Sequence, residues 1–423
     1  MAFVKPGRPR VKRTLCVSLA VFLVLSFLAT RAACLGAAAS EESSAPTEVP
    51  LTIVEGVPMV RGAIQGRDIG LFVVNPLHET EMVLDCARAD DLYLHGELGH
   101  PRYSQPFGRE RRQNLLFPLV KPLRVGNRRL GTGTVPAMRL TTFASGLGVR
   151  ISGSVHPSFF GTEPITLDYD NGKMLINPDY RASASSRAVE CVAGFTGKGV
   201  HIAASLNGQP GWFQLAPLQR HTCAVSNRKC ADILVSGPQT VTCKPVIVES
   251  TGPQPRRALQ VRLESLRVGT LDIPEPLATI VKPPEDSDPQ YSGVLGAYFL
   301  RRFKVTLDPT EGIVVLDPGK RFAERDKADK SGLYLLGVDG DWHVGWVEDG
   351  GPGDSAGIRP GDSILEADGT PAADLSLEEL RELLRSEEGR VIPLKLERSR
   401  QEFDVELKLQ DRFKPSASPL DAL

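Results

Sequence analysis

The chain has no surplus of charge of either sign. Fifty basic residues stand against 51 acidic ones, a formal charge of −1. It therefore lacks the basic face that neutralises phosphates, and nucleic acid is not an expected partner. Neither Cys-x-x-Cys nor His-x-x-x-His spacing occurs, which removes the common zinc signatures. No metal or other cofactor is expected, and His221 near Cys223 is read as incidental. Long helical periodicity is missing before residue 376. A hydrophobic run of full spanning length is missing as well: Leu15 to Ala29 gives about fifteen residues, where a span wants ~20.

That short apolar run is informative in its setting. Lys5, Arg8, Arg10, Lys12 and Arg13 precede it, and no acidic residue appears before Glu41. A positive segment, a short apolar run and the small residues Ala37-Ala38-Ala39 are the order of an export signal. Residues 1–39 are read as that signal, which places the chain in the periplasm, the extracellular space or the envelope. Two alternatives stand beside cleavage. The segment would otherwise stay as an N-terminal anchor, the chain's one expected membrane link, or Cys34 would be lipidated. Arg31 argues against lipidation, because an aliphatic residue is usual there. If Cys16 and Cys34 leave, Cys86, Cys191, Cys223, Cys230 and Cys243 remain. An oxidising compartment favours pairing; Cys223 and Cys230 would close a small loop, an odd count leaves one thiol over, and connectivity is open.

At 423 residues the chain has room for two to four domains. Residues 40–50, rich in Ser, Ala, Glu and Pro, read as a flexible linker. After them the body repeats itself. Ile151-Ser152-Gly153-Ser154-Val155-His156-Pro157-Ser158-Phe159-Phe160 lies without a gap on Tyr291-Ser292-Gly293-Val294-Leu295-Gly296-Ala297-Tyr298-Phe299-Leu300. At the same offset, Ile165-Thr166-Leu167-Asp168 answers Val305-Thr306-Leu307-Asp308, and Gly172 answers Gly312. The body is thus two homologous lobes, residues 51–180 and 187–320, with the Ser/Ala-rich stretch between them as connector. Short runs of Val, Ile, Leu and Thr punctuated by Gly, Pro and Asn-Gly read as strands. Asp170-Asn171-Gly172 and Thr310-Glu311-Gly312 read as hairpin turns.

Two runs invite a catalytic reading: Met82-Val83-Leu84-Asp85-Cys86-Ala87-Arg88, and Phe213-Gln214-Leu215-Ala216-Pro217-Leu218-Gln219. Two β-lobes with such runs, followed by the loop Gly293-Val294-Leu295-Gly296 and its strands, resemble the pepsin/retropepsin-like aspartic proteases. The resemblance implies a mainly β fold of two β-barrel lobes. It also implies a pair of carboxylates sharing one proton, one acting as base toward water and the other as acid toward the carbonyl. In this reading Asp85 takes the family position in lobe one and Ala216 takes it in lobe two, so the second carboxylate is missing. Cys86 and Ala87 stand where Thr and Gly would orient the carboxylate, His156 replaces the glycine matched by Gly296, and an inward Arg88 would hold Asp85 ionised. A homodimer pairing two Asp85 residues and a Cys86 nucleophile served by His95, His100 or His156 are further alternatives.

From about Ser331 the texture changes. Gly351-Pro352-Gly353-Asp354-Ser355-Ala356-Gly357-Ile358-Arg359-Pro360-Gly361-Asp362 and Ile364 to Gly369 strongly resemble bacterial-type PDZ domains, an α+β module, here residues 328–411 before a tail at 412–423. Gly357 suits a left-handed helix end, and Asp362 is read as structural. Ser376-Leu377-Glu378-Glu379 is a capping box. Leu377, Leu380, Leu383 and Leu384 form a helical apolar stripe. The resemblance implies that a peptide or protein C-terminus adds as a strand beside Gly332, Leu333, Tyr334 and Leu335. Its carboxylate would take the N–H groups there, and Leu380 or Leu384 would line the groove. A self-occupied groove is the alternative. The expected function is an exported binding protein with an inactive protease-like body. The competing readings are an active aspartic endopeptidase using Asp85 and an envelope structural protein. Oligomeric state is open.

Overall fold

The computed structural model describes residues 46–76, 81–103, 115–131, 133–196, 199–236, 243–248, 256–281, 291–411 and 413. The expected export segment, with Cys16 and Cys34, and the tail from residue 414 lie outside the described residues.

Turn chemistry starts each lobe in the same way. Val57–Ile64 and Arg67–Val74 form a hairpin through Gln65 and Gly66, with φ of 50° and 84°. Gly199–Leu206 and Gln209–Ala216 do so through Asn207 and Gly208, at 47° and 77°. Two positive-φ residues give the turn whose twist matches that of the strands. In lobe one the strands then run Arg102–Tyr103, Leu115–Pro118, Thr134–Met138, Met82–Asp85, Ile151–Val155, Arg67–Val74, Val57–Ile64. Lobe two repeats that order as Cys243–Val248, Arg256–Arg262, Leu277–Val281, Cys223–Val225, Tyr291–Gly296, Gln209–Ala216, Gly199–Leu206. The sheets are open rather than closed barrels, a correction to the expectation.

The lobes join through six antiparallel strands in a palindromic order: Thr47–Pro50, Lys173–Ile176, Ile165–Asp168, Phe303–Asp308, Ile313–Pro318, Val189–Thr196. At the centre Thr166 pairs with Thr306, 140 residues later, and their hydroxyls hydrogen-bond at 2.6 Å. The expected turns close the flanking hairpins, with Gly172 at φ 62° and Gly312 at 69°. Thr47–Pro50 pairs with Lys173–Ile176, so the end of the expected linker is a strand. Backbone pairing and the 2.8 Å Lys173–Glu48 ion pair hold it there, which composition did not reveal.

Short helices interrupt the β-structure, among them Cys86–Leu94, Thr141–Leu147 and Arg228–Ser236. At nine residues or fewer they are too short to show as periodicity. Cys86, Cys191, Cys223 and Cys230 are all free thiols, so the pairing of Cys223 with Cys230, which the sequence left open, is not made. Cys223 is spent in the core while Cys230 sits on the Arg228–Ser236 helix packed against it. Among the described residues no helix is long and apolar enough to cross a membrane.

The C-terminal domain has its own core, from Leu335 to Leu409. Its strands run Leu333–Val338, Asp341–Val347, Ser363–Ala367, Val391–Arg398, Gln401–Lys408. The helix Leu377–Leu384 is started by the expected capping box, with both Ser376–Glu379 bonds made. Gly357 is left-handed at φ 77°, and Asp362 is held by Arg398 at 2.6 and 2.7 Å. The connection to lobe two is fixed: buried Arg302 binds Asp326 at 2.6 Å and the Phe322 carbonyl at 3.1 Å. Body and C-terminal domain belong to one compact unit from Pro46 onward.

Candidate functional site

Strand register decides which residues of the two lobes are equivalent. In lobe one Val73 pairs with Ser154 and Val74 with Val155; in lobe two Gln214 pairs with Val294 and Leu215 with Leu295. Ser154 and Val294 are partners in the repeat, so the residue equivalent to Ala216 is Asn75. The next strand confirms this. Val83 pairs with Ser154 while Ala224 pairs with Val294, which makes Asp85 the counterpart of Ser226. The expectation that Asp85 and Ala216 share a position is therefore corrected. Both Met82-Val83-Leu84-Asp85 and Phe72-Val73-Val74-Asn75 are apolar strands that end at a polar residue, and alternation cannot rank them. Neither Asn75 nor Ala216 is a carboxylate, and both are buried.

Asp85 has a structural employment. It caps the helix Cys86–Leu94, accepting the Ala87 N–H at 2.9 Å through Oδ2. Oδ1 accepts the Leu140 N–H at 2.8 Å, which ties the helix to the end of the neighbouring strand. Arg88 pairs with Asp91 at 2.8 Å rather than with Asp85, a second correction: both acids lie three positions from Arg88, and the Asp85 oxygens are turned to backbone N–H groups. Burial first, and then the Asp85 charge, raise the Cys86 thiol, the reverse of what a thiolate nucleophile needs. His156 caps the turn Pro157–Phe160, its Nδ1 accepting the Ser158 N–H. His95 bonds the Asp91 carbonyl and His100 the Pro101 carbonyl, so neither histidine is directed at the thiol by a contact the structure records. Among the described residues no cluster of three potential metal ligands occurs.

The C-terminal groove lies between Leu333–Val338 and Leu377–Leu384. Gly332, Leu333, Tyr334 and Leu335 border a cavity of about 730 Å³ whose far wall is lobe two, including His221, Thr279 and Tyr298. The backbone donors expected to meet a ligand carboxylate are already engaged. Gly332 N–H donates to Asp329 Oδ1 at 2.8 Å, and Leu333 N–H donates to Ser331 Oγ at 3.0 Å. Leu335, Leu380 and Leu384 are core residues, at most 1% exposed, and of these only Leu335 also borders the cavity. Burial pushes His221 down to about 4, with Arg220 adding to the effect; its Nδ1 lies 3.1 Å from Thr279 Oγ1.

Lobe one closes the other end of the groove. The helix Thr141–Leu147 packs on the strand Leu333–Val338, and Gly148, at φ 76°, bridges to Val338. A Cβ there would stand 2.7 Å from Leu377 Cβ, so glycine is what lets the two domains approach. Arg381, on the groove helix, spans the groove: it donates to the Leu335 carbonyl at 2.8 Å and to the Gly146 carbonyl at 2.7 Å.

Arg381 also reaches Glu55, 1% exposed at the tip of the hairpin Thr52–Val54/Val57–Ile64. Arg381 is 2.5 Å from Oε1. Arg220 of lobe two binds Oε2, and Tyr298 donates to that oxygen at 2.9 Å. Arg385 donates to Tyr298 Oη at 3.3 Å. The Glu55 N–H donates to Glu378 at 3.1 Å. Burial alone would raise this carboxyl; Arg220, Arg381 and Arg385 outweigh it and hold the group well below the usual carboxylate range. Sequence reasoning missed Glu55, because a Glu-Gly turn between strands reads as solvated. Its partners come from three separate segments.

The PDZ domain family model matches residues 343–398. This begins after the strand Leu333–Val338 but includes the groove helix. No curated protein matches the chain. Among solved structures the chain is similar to basic 7S globulin from soybean, at 10% identity and TM-score 0.37, covering 64% of this chain and 95% of that one. It is also similar to a retropepsin-like aspartic protease from Rickettsia conorii, at 17% identity and TM-score 0.25, covering 32% and 95%.

Proposed function

We propose that this is an exported, non-catalytic peptide-binding protein, in which an aspartic-protease-like body carries and regulates a PDZ domain. The observation that carries the loss of catalysis is the pairing of Asn75 with Ala216 as equivalent positions. Water activation by a shared proton needs two carboxylates, and these two residues supply none. Asp85 does not restore the pair, since its counterpart in lobe two is Ser226, which is no carboxylate either. Peptide binding is supported by the PDZ match at 343–398 and by the cavity beside Gly332 to Leu335. The ligand class most open to that module is a peptide segment or a protein C-terminus.

Incubation of the purified chain with a reduced, alkylated protein from acid to neutral pH tests the first half. No cleavage is expected from the wild type or from Asp85→Asn. Hydrolysis lost in Asp85→Asn would return the chain to the active endopeptidases. The second half is tested by panning the chain against displayed peptides with free and blocked C-termini; enrichment of neither class would remove the binding reading.

A further inference from the structure

The junction around Glu55 is a receptor for a carboxylate that the chain fills itself. Two guanidinium groups and a phenol hydroxyl meet one buried carboxylate, and Arg385 backs the hydroxyl. Arg381 is at once the carboxylate's partner and the residue that closes the groove onto Leu335. If lobe one withdraws, Glu55 leaves with it, while Arg220, Arg381 and Arg385 stay behind on lobe two and the groove helix. Buried cations without a counter-charge are strongly unfavourable. Whatever enters the opened groove is therefore favoured if it brings a negative charge to the place Glu55 held.

Resting on the peptide-binding reading, we infer that lobe one occupies the PDZ groove in cis through Glu55, and that the groove's external ligands are acidic peptides whose carboxylate side chain displaces Glu55 from Arg381. Competition from within the chain is severe, since a tethered group acts at an effective concentration in the millimolar range. Free peptide then binds weakly until it supplies the same charge or until Glu55 is lost. The contacts that hold the closed state include Gly148 against Leu377, Arg381 on Gly146, the Arg150–Asp339 ion pair, and Glu55 itself.

The test uses the full chain and two fluorescein-labelled peptides, one copying residues 50–60 with Glu55 at its centre and one with that glutamate replaced by glutamine. Anisotropy titrations are run on the wild type and on Glu55→Gln. The acidic peptide is expected to bind Glu55→Gln about tenfold or more tighter than the wild type, and about tenfold tighter than the glutamine peptide binds the same variant. Equal binding of the two peptides to Glu55→Gln overturns the ligand class. Equal binding of the acidic peptide to both proteins overturns Glu55 as the internal competitor. Should Glu55→Gln fail to fold, the wild type carries the test. Saturating acidic peptide, but not the glutamine peptide, should speed amide exchange in Thr141–Leu147, and unchanged exchange overturns the inference. Display panning separates the two readings: peptides enriched there without acidic preference would remove this inference and leave peptide binding standing.

Discussion

His221 and Glu55 show how a single side chain takes its properties from where the chain folds. His221 is pushed down to about 4 by burial and by Arg220, whereas an unfolded chain's histidine titrates near ~6.5. Between those values the unfolded state binds the proton and the folded state does not. Stability from this residue is full above about 6.5 and falls as pH drops toward 4, by roughly 3 kcal/mol at most. Denaturant midpoints measured from pH 7 to pH 4 should fall in the wild type and flatten over that window in His221→Asn. Glu55 works in a lower range: its depressed carboxyl contributes in full above the ordinary carboxylate range, and that contribution is lost progressively as pH falls through that range into strong acid.

Elements explain which parts of the fold were legible in the sequence. The hairpin turns at Gly172 and Gly312, the Ser376 capping box and the left-handed Gly357 rest on neighbours within a few residues, so local chemistry suffices to read them, and the repeat shows directly as matched residues at a constant offset. Asp85 was misplaced because Arg67–Val74 and Met82–Asp85 carry the same apolar signal, and only cross-strand register tells them apart. Glu55 was invisible because its partners Arg220 and Arg381 lie 165 and 326 residues away. The groove was mistaken for open because the helix Thr141–Leu147, which covers it, is short and weakly patterned. Gly148 belongs at this scale. Gly148→Ala strains a positive φ and forces its Cβ against Leu377, so it should cost more than ~1 kcal/mol. It should also speed amide exchange along Leu333–Val338 while leaving Ile151–Val155 protected. Uniform exchange in both strands would show that the glycine does not govern the contact.

The whole molecule should unfold as one body, because each lobe grips the PDZ domain. Lobe two holds the connection through Arg302 and Asp326, and lobe one holds the groove through Gly148 and Glu55. Breaking one partner of a buried ion pair typically costs about 3–5 kcal/mol, and here the loss falls on the seam between domains. Calorimetry should show a single transition for the wild type and two for Glu55→Gln, with the PDZ domain melting apart from the body. A single transition in both would mean that the Arg302 connection alone couples them.

The hydrogen bond between Thr166 and Thr306 carries a different consequence. Elsewhere the two halves of the body differ, one repeat holding Asn75 where the other holds Ala216. At this one point each half still meets its own image. A residue on a two-fold axis is its own partner's template, so its freedom to change is shared with a site 140 positions away. Replacing either threonine alone takes from the other hydroxyl the partner it has at the join.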